Sequence, residues 1–228
     1  ALDAEGCVRL GMRAIKGLSP TVAQRIVTAR MCAPFDSVAD LATRADLARR
    51  DLTVLAAADA LKALAGHRHQ AAWQSSVAVV HQGDLFAGSL PPEAVTALPS
   101  PSLGENLVAD YRQLGHSLRA HPLSLLRARL SARRFLSAGE LAQLGDCALV
   151  RVAGIVVGRQ RPGTASGVVF VTLEDESGWT NVVVQAGLVE RQRKELLSAR
   201  LLGVYGQLQR ADSVLHLVAK RFVDLSSW

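Results

Sequence analysis

The chain has 228 residues, of which 49% are hydrophobic and only 4% are aromatic, so any core that it buries must be mainly aliphatic. Its formal net charge of +6 favours polyanionic partners but carries no information about the fold. No apolar run approaches the roughly 18 residues of a membrane span, and no secretory signal is recognisable, so we predict a cytoplasmic protein with no membrane partner. Because the chain begins at Ala1, directly before a patterned segment, we expect it to be part of a longer protein.

Residues 1–75 are predicted to form helices. Ser19 provides a helix N-cap, and Pro20 occupies the first helical position after it. Apolar residues then recur at helical spacing up to Arg30, and Pro34 ends this helix. A second helix is predicted to begin at residues 36–37, a third to cover about 46–56 and a fourth to cover about 60–73. The segment is therefore expected to be an all-α module.

The turn Ile15-Lys16-Gly17-Leu18 lies between a short helical segment and the helix that follows Ser19. An apolar-x-Gly-apolar turn between two helices is typical of a helix-hairpin-helix motif. Its glycine allows the tight turn and leaves backbone N–H groups beside a helix N-terminus, where they can hold a phosphate independently of base sequence. The alternative is an ordinary turn between packed helices. A second candidate turn at residues 57–61 lacks the glycine and is predicted to support the first.

Residues 76–108 are predicted to form a linker, because four prolines lie among Gly, Ser and Thr without a sustained period. Within it, Gln82 is followed three and four residues later by Leu85 and Phe86, which is the pattern of bacterial sliding-clamp ligands. Leu and Phe would enter an apolar pocket of the clamp, and the Gln amide would bond to the rim of that pocket. The alternative is that Leu85 and Phe86 only attach the loop to the core.

Residues 109–146 are predicted to form short basic helices. No acidic residue lies between Asp110 and Glu140, but six arginines do. A solvated helical face is the alternative to a binding surface. The six are Arg112, Arg119, Arg127, Arg129, Arg133 and Arg134.

Residues 147–228 are predicted to form a five-stranded OB-fold barrel. From Ala148 the apolar pattern has a period of two, and three strands precede a helix at about 188–198. Two more strands follow, at 201–209 and 214–223, joined by a turn at 210–212. This element order is that of an OB-fold, whereas the rival SH3-like barrel would place no helix there. The whole chain is therefore expected to be an α+β multidomain protein.

The loop of residues 159–167 joins the first two strands of this predicted barrel. In OB-folds this loop and the face of strands two and three bind single strands by combining cations with stacking side chains. Arg159 and Arg161 supply charge and can stack on bases. Trp179, beside the hairpin turn, is expected to face solvent, and Phe170 is ambiguous between the surface and the core. Tyr205 is a further possible stacking residue, and Arg210, in the last turn, a further cation.

The sequence shows no group of residues that could form a catalytic or metal site. The carboxylates of residues 174–176 are consecutive in a predicted turn, so they do not converge as a two-metal site requires. His67 and His69 have no partner at metal-ligand spacing. The three cysteines lie far apart and are interpreted as free thiols of a reducing cytosol. We therefore predict a binding segment with no catalytic residue, metal ligand or cofactor of its own.

Four stretches of the chain resemble bacterial C-family DNA polymerases. Residues 10–18 are similar to their hairpin, residues 46–66 to the second half of that tandem module, and residues 118–123 to a linking motif of the family. Residues 159–170, followed by residues 173–176, closely resemble the error-prone branch, the damage-inducible paralogue of the DNA polymerase III alpha subunit. The chain is thus identified as the C-terminal part of such a polymerase.

This resemblance implies functions that reach beyond the chain itself. The parent would be a DNA polymerase of translesion synthesis and induced mutagenesis, whose palm aspartates and magnesium ions lie outside these residues. Its implied partners are DNA, the sliding clamp and a catalytically inactive accessory protein similar to Y-family polymerases.

The resulting hypothesis divides DNA binding between the two modules. Lys16, Gly17 and Ser19 are assigned to duplex phosphates. The barrel is assigned to the single-stranded template through Arg159, Arg161, Trp179 and Arg210. One alternative is a protein recruitment module with little DNA affinity, and another is an RNA-binding domain of the anticodon-recognising type. The clamp-like peptide and the hairpin turn argue against the RNA-binding alternative.

Overall fold

The chain forms two compact units, Ala1–Arg119 and Ala120–Trp228. The first unit is helical, and the second contains a closed five-stranded barrel with short helices. The predicted α+β multidomain fold class is therefore confirmed. The computed structural model describes residues 10–78, 96–163, 167–211 and 214–228.

The division between the units falls within the segment predicted as short basic helices, residues 109–146. Its beginning belongs to the first unit and its remainder to the second. The clamp-like peptide formed by Gln82, Leu85 and Phe86 lies outside the described residues, so its role stays a prediction.

Six α-helices are described in the first unit, and serine side chains cap several of them. Ser19, Ser37 and Ser102 each accept a hydrogen bond from a backbone N–H in the first turn of the helix that follows, as expected of N-cap residues. A 3-10 turn, Met12–Ala14, comes first. The helices are α1 Pro20–Cys32, α2 Val38–Arg44, α3 Arg49–Ala57, α4 Lys62–Ala65, α5 Arg68–Ala78 and α6 Leu103–Gln113.

The single helix predicted over residues 60–73 is wrong, because the chain breaks there into α4 and α5. Gly66 ends α4 with a positive φ of 83°, and its N–H donates to the carbonyl of Lys62. Glycine adopts this left-handed conformation without steric cost, which makes it a common helix terminator. After the break, α5 packs against α2 and α3 and buries Ala71 and Ala78.

A buried ion pair lies beneath the surface of the first unit. The side chains of Arg68 and Asp110 are each only 6% exposed, and Arg68 Nη2 lies 2.5 Å from Asp110 Oδ1. The other carboxylate oxygen accepts hydrogen bonds from Ser117 Oγ at 2.7 Å and Arg119 Nε at 3.1 Å, and Arg119 also pairs with Asp59. Burial acts to raise the pKa of Asp110, but the hydrogen bonds and charges of these partners outweigh it and hold that pKa below its ordinary value.

The second unit contains five strands and four short α-helices within the described residues. The helix predicted over residues 188–198 is two helices, separated at Gln192. The side-chain amide of Gln192 donates to the carbonyl of Phe222 and accepts from its N–H, which fixes the break against the last strand. The helices are α7 Arg127–Ala132, α8 Ala138–Leu141, α9 Ala186–Arg191 and α10 Arg193–Ser198, and the strands are β1 Leu149–Gln160, β2 Val169–Asp175, β3 Gly178–Val184, β4 Leu201–Ala211 and β5 Val214–Asp224.

The strands close into a barrel in the order β1-β2-β3-β5-β4, with β3 and β5 parallel and the other neighbours antiparallel. Alternating side chains of the strands point inward, as the two-residue period predicts. On β2, Val169, Val171 and Leu173 are buried, whereas Phe170 between them is exposed. The barrel core is almost entirely aliphatic apart from Phe222, in agreement with the low aromatic content.

Gly206 lies on β4 at an irregularity in its pairing with β5. A Cβ atom at this position would lie 2.5 Å from the Val218 carbonyl oxygen and 2.9 Å from Leu217 Cδ1. The replacement Gly206→Ala is therefore expected to lower the free energy of unfolding of the second unit by about 1–3 kcal/mol, because it overpacks the barrel. Urea unfolding measures this change. Gly187→Ala is the control, since nothing lies within 4 Å of its Cβ position, and equal stability of both variants would contradict the prediction.

No helix within the described ranges is long and apolar enough to cross a membrane.

Candidate nucleic-acid interface

The first candidate surface is the hairpin turn, residues 15–19. Ile15 is buried and anchors the turn, whereas Lys16, Gly17 and Ser19 are exposed. Gly17 has a φ of 83°, and its Cβ position would lie 3.8 Å from the nearest atom, a methyl group of Val54. The turn therefore needs glycine for its backbone conformation and not for space.

Two backbone N–H groups of the hairpin turn are not bonded to any described residue. Those of Gly17 and Ser19 have no hydrogen-bond acceptor among the described residues, and both residues are exposed. Directly after them, α1 begins at Pro20 with no acidic residue in its first turn. A helix N-terminus carries a partial positive charge, so free N–H groups beside it favour an anion such as a phosphate.

The backbone of Lys16 is held in place by α6. Its N–H donates to the Gln113 carbonyl at 3.1 Å, and the Gln113 side-chain amide donates to the Lys16 carbonyl at 2.5 Å. The ammonium group donates to the Arg112 carbonyl at 3.2 Å and remains exposed. Gln113 is thus a positioning residue for the turn that the sequence did not indicate, because it lies 97 residues away.

The second candidate turn, at residues 57–61, has an acid where the first has glycine. Asp59 adopts a positive φ of 57°, and its carboxylate pairs with Arg119. Aspartate tolerates this conformation better than most residues with a side chain. A carboxylate at the turn disfavours a phosphate, so the arrangement agrees with the supporting role predicted for this turn.

The second candidate surface is the β1–β2 cleft, a cavity of about 220 Å³. It lies between the end of β1, the beginning of β2 and the two helices that follow β3. Arg159 and Arg161, the two arginines assigned from the sequence to the loop between the first two strands, line it, and Arg193 of α10 lines it as well. Arg193 was not singled out from the sequence, since only the folding of α10 towards the β1–β2 loop brings it there.

The three arginines of the β1–β2 cleft differ in how their donors are used. Arg159 Nε donates to the Leu196 carbonyl at 2.6 Å, and its Nη2 donates to the Ala199 carbonyl. The side chains of Arg161 and Arg193 are exposed and have no hydrogen bond to any described residue. Arg159 therefore holds the cleft together, whereas no described residue occupies the guanidinium donors of Arg161 and Arg193.

The aromatic residues of β2 and β3 point out of the barrel. Trp179 is 73% exposed, which confirms the prediction that it faces solvent. Phe170 is 38% exposed on the same outer face and is not part of the barrel core. Trp179 on β3 pairs with Glu174 on β2, and Glu174 lies four residues after Phe170. Trp179 and Phe170 are therefore about 13 Å apart along the strand direction. The structure therefore does not bring Trp179 close to the β1–β2 cleft.

Arg210 was predicted to lie in the turn after the fourth strand, but it lies within β4, near its end, and pairs with Leu215 on β5. Its backbone N–H donates to Asp146 Oδ1 at 3.0 Å. This bond, with a second from Cys147, holds the pKa of Asp146 below its ordinary value. The guanidinium of Arg210 is exposed, but the Asp146 carboxylate beside its backbone reduces the local positive charge.

The run of arginines in residues 109–146 is partly neutralised by acids from elsewhere in the sequence. Arg119 pairs with acids of the first unit, as described above. Arg127 contacts Asp175 at the end of β2 and Glu176 in the turn that follows, and its hydrogen bonds with Glu176 raise its pKa. The expectation that these six arginines are unopposed is therefore wrong for Arg119 and Arg127.

No group of three or more His, Cys, Asp or Glu side chains among the described residues could hold a metal ion. Asp175 instead accepts hydrogen bonds from Ser177 and Gly178 and so stabilises its own turn.

Two protein families match the chain. Residues 1–71 match the helix-hairpin-helix motif family, and residues 150–225 match a family described as an OB-fold nucleic acid binding domain. These matches agree with the two modules predicted from the sequence and seen in the structure.

Curated relatives match the chain over nearly its whole length. The error-prone DNA polymerase of Dechloromonas aromatica (strain RCB) is 63% identical over 228 residues, which are 100% of this chain and 22% of the relative. That of Azoarcus sp. (strain BH72) is 63% identical over 97% of the chain and 21% of its own length. That of Ralstonia nicotianae is 54% identical over 96% of the chain and 21% of its own length. The chain thus spans about one fifth of the length of these relatives.

Proposed function

We propose that the chain binds DNA for a polymerase whose catalytic centre lies in other residues. The chain belongs to the error-prone DNA polymerases and spans about one fifth of their length. The observation that carries this proposal is the hairpin turn. It combines two free N–H groups, a helix N-terminus and the Lys16 ammonium at one exposed place. These groups suit a phosphate without regard to base sequence, as a polymerase that copies any template requires.

The hairpin turn is proposed to hold the phosphates of the duplex. Gly17 and Ser19 supply backbone donors, and Lys16 supplies charge. The contact of Lys16 with α6 keeps the turn in one conformation, so little conformational entropy is lost when a phosphate binds.

The β1–β2 cleft is proposed to hold the single-stranded template. Arg161 and Arg193 have free donors for its phosphates, whereas Arg159 positions the cleft through its two carbonyl contacts. Trp179 and Arg210 lie further along the barrel, where a longer strand could reach them. Phe170, near the β1–β2 cleft, is the aromatic residue best placed for stacking with a base.

The functions of the whole polymerase are part of the same proposal. They are magnesium-dependent nucleotide transfer in the palm, translesion synthesis and damage-induced mutagenesis, in the cytoplasm. The proposed protein partners are the sliding clamp, bound through Gln82, Leu85 and Phe86, and a catalytically inactive accessory protein similar to Y-family polymerases. The family of the chain supports these assignments.

A protein recruitment surface is the second candidate function. Trp179 is 73% exposed beside Glu174, away from the free arginines of the β1–β2 cleft. Exposed aromatic residues are enriched at protein interfaces. A recruitment module predicts that Trp179→Ala weakens binding of the accessory protein and leaves DNA affinity unchanged.

The replacement Gly17→Ala tests the hairpin assignment. Alanine is strained at a φ of 83°, by about 1–2 kcal/mol, and relief of that strain moves the N–H groups out of line. We expect the affinity for duplex DNA to fall at least about 5-fold, which corresponds to about 1 kcal/mol, in fluorescence anisotropy at low salt. Gly11→Ala is the matched control, because Gly11 has a φ of −79° and open space around it. Equal affinity of the two variants would exclude the hairpin turn as a phosphate site.

A further inference from the structure

A row of three side chains crosses the outer face of β1, β4 and β5. Tyr205 on β4 pairs directly with Arg151 on β1 and with Arg221 on β5. The guanidinium carbons of these arginines lie 5.0 Å and 5.3 Å from the centre of the Tyr205 ring, within range of a cation–π interaction. Two cations therefore flank one aromatic ring on a continuous sheet.

A second group of the same kind adjoins this row. Arg129 and Arg133 place their guanidinium carbons 4.9 Å and 4.2 Å from the centre of the Trp228 ring. Arg151 donates a hydrogen bond to the Arg133 carbonyl at 3.3 Å, which joins the two groups. We call the combined patch the arginine–aromatic surface: Arg129, Arg133, Arg151, Tyr205, Arg221 and Trp228.

The four arginines of this surface are exposed and carry no ion pair with any described residue. Arg127, close in sequence to Arg129 and Arg133, is by contrast paired with Asp175 and Glu176. Stacking on an aromatic ring holds a guanidinium plane in position and leaves most of its N–H donors free. The surface therefore presents four fixed positive charges with few competing contacts.

The arginine–aromatic surface is separate from the β1–β2 cleft. In the barrel order, β4 and β5 lie on the far side of β1 from β2, and Arg151 lies eight residues before Arg159 on β1. Neighbouring strands are about 4.8 Å apart, so the backbones of Arg151 and Arg221 are separated by about 10 Å across the row.

We propose that the arginine–aromatic surface binds the phosphodiester backbone of a DNA strand, as a second contact besides the β1–β2 cleft. This inference rests on the proposed function. Planar guanidinium groups match phosphate oxygens in a bidentate manner. Guanidinium groups lie over both rings, so the rings themselves do not form the apolar centre that anchors a protein interface; the exposed Leu149 lies beside the patch, two residues before Arg151. The contact is therefore independent of base sequence.

The test compares two pairs of charge-removing substitutions in the full chain. Arg151→Gln with Arg221→Gln removes two charges of the surface. Arg191→Gln with Lys194→Gln removes two exposed charges from α9 and α10, outside both proposed sites. Fluorescence anisotropy over a salt series, on single-stranded and on duplex DNA, measures how log K changes with log salt.

Loss of two phosphate contacts is expected to reduce the steepness of that dependence by about 1.4 for single strands or about 1.8 for duplex, and the strand type that changes identifies the ligand. The control pair should change the slope much less. The double variant Arg151→Lys with Arg221→Lys should retain most of the slope of the unmodified chain, because the charges remain. If the glutamine pair disturbs the barrel's circular dichroism, Arg129→Gln with Arg133→Gln on α7 and its C-terminus replaces it.

The outcomes separate the two proposals. If the unmodified chain binds no DNA, the proposed function and this inference both fail. If it binds DNA but the surface pair behaves like the control pair, only this inference is overturned. Polyglutamate is the probe for an acidic protein partner. If Arg151→Gln with Arg221→Gln abolishes binding to polyglutamate but leaves the slope for DNA unchanged, the surface binds an acidic protein and this inference is overturned.

Discussion

Replacing Asp110 with alanine is expected to lower the free energy of unfolding of the first unit by about 3–5 kcal/mol. Asp110 is the only acid paired with the buried Arg68 among the described residues, so its removal leaves a guanidinium without a counter-charge. Ser117 and Arg119 lose an acceptor in the same change. Leaving a buried charge unpaired costs far more than losing an exposed ion pair.

Urea unfolding followed by far-ultraviolet circular dichroism measures this loss, because the first unit contributes most of the helix signal. Arg25→Ala is the matched control, since it removes the exposed ion pair with Asp46 and should cost no more than about 1 kcal/mol. Similar losses in the two variants would show that the buried pair is not a main determinant of stability.

The pH dependence of stability provides an independent check on the same pair. The folded pKa of Asp110 lies below its ordinary value, so its contribution is present above the unfolded pKa of about 3.9 and is lost as pH falls through the folded pKa. The unmodified chain should therefore lose stability below about pH 4 more steeply than Asp110→Asn. Parallel pH profiles would contradict the assigned pKa shift.

Removing both free cations of the β1–β2 cleft is expected to have the largest effect on template binding. Two arginine contacts with phosphates of single-stranded DNA contribute about 1.4 to the steepness of log K against log salt. At 0.1 M salt, Arg161→Gln with Arg193→Gln should therefore weaken single-strand binding about 25-fold. Arg159→Gln should change this slope less, because its donors already bind the carbonyls of Leu196 and Ala199.

The comparison again uses Arg191→Gln with Lys194→Gln, which changes net charge equally, and anisotropy on a short single-stranded oligonucleotide. A 25-fold loss confined to the cleft pair would support the template assignment. If both pairs lose affinity to the same small extent, net charge alone accounts for binding and the β1–β2 cleft is not a site.

Local patterns in the sequence predicted the features that depend on neighbouring residues. The two-residue apolar period was enough for the strands, whose order around a helix then indicated the barrel, and Gly17 between two helical segments was enough for the turn. The position of Trp179 beside a hairpin correctly indicated its exposure. The strands, the turn and the outward position of Trp179 are each set by residue patterns within a few positions of the chain.

Contacts between distant residues could not be predicted in the same way. Arg193 reaches the β1–β2 cleft only because Gln192 breaks the helix against Phe222, and the pairing of Arg127 with Asp175 depends on how the barrel packs. The arginine–aromatic row likewise follows from strand register, which a single sequence specifies weakly. Side-chain electrostatics therefore had to be taken from the structure.

The salt dependence of DNA binding by the unmodified chain tests the central claim most directly. Anisotropy on single-stranded and primer–template DNA should show binding at low salt, with a slope for single strands steeper than about −1.4, the value that two phosphate contacts produce. Absence of binding at low salt, or a slope near zero, would contradict DNA binding by this segment and favour protein recruitment.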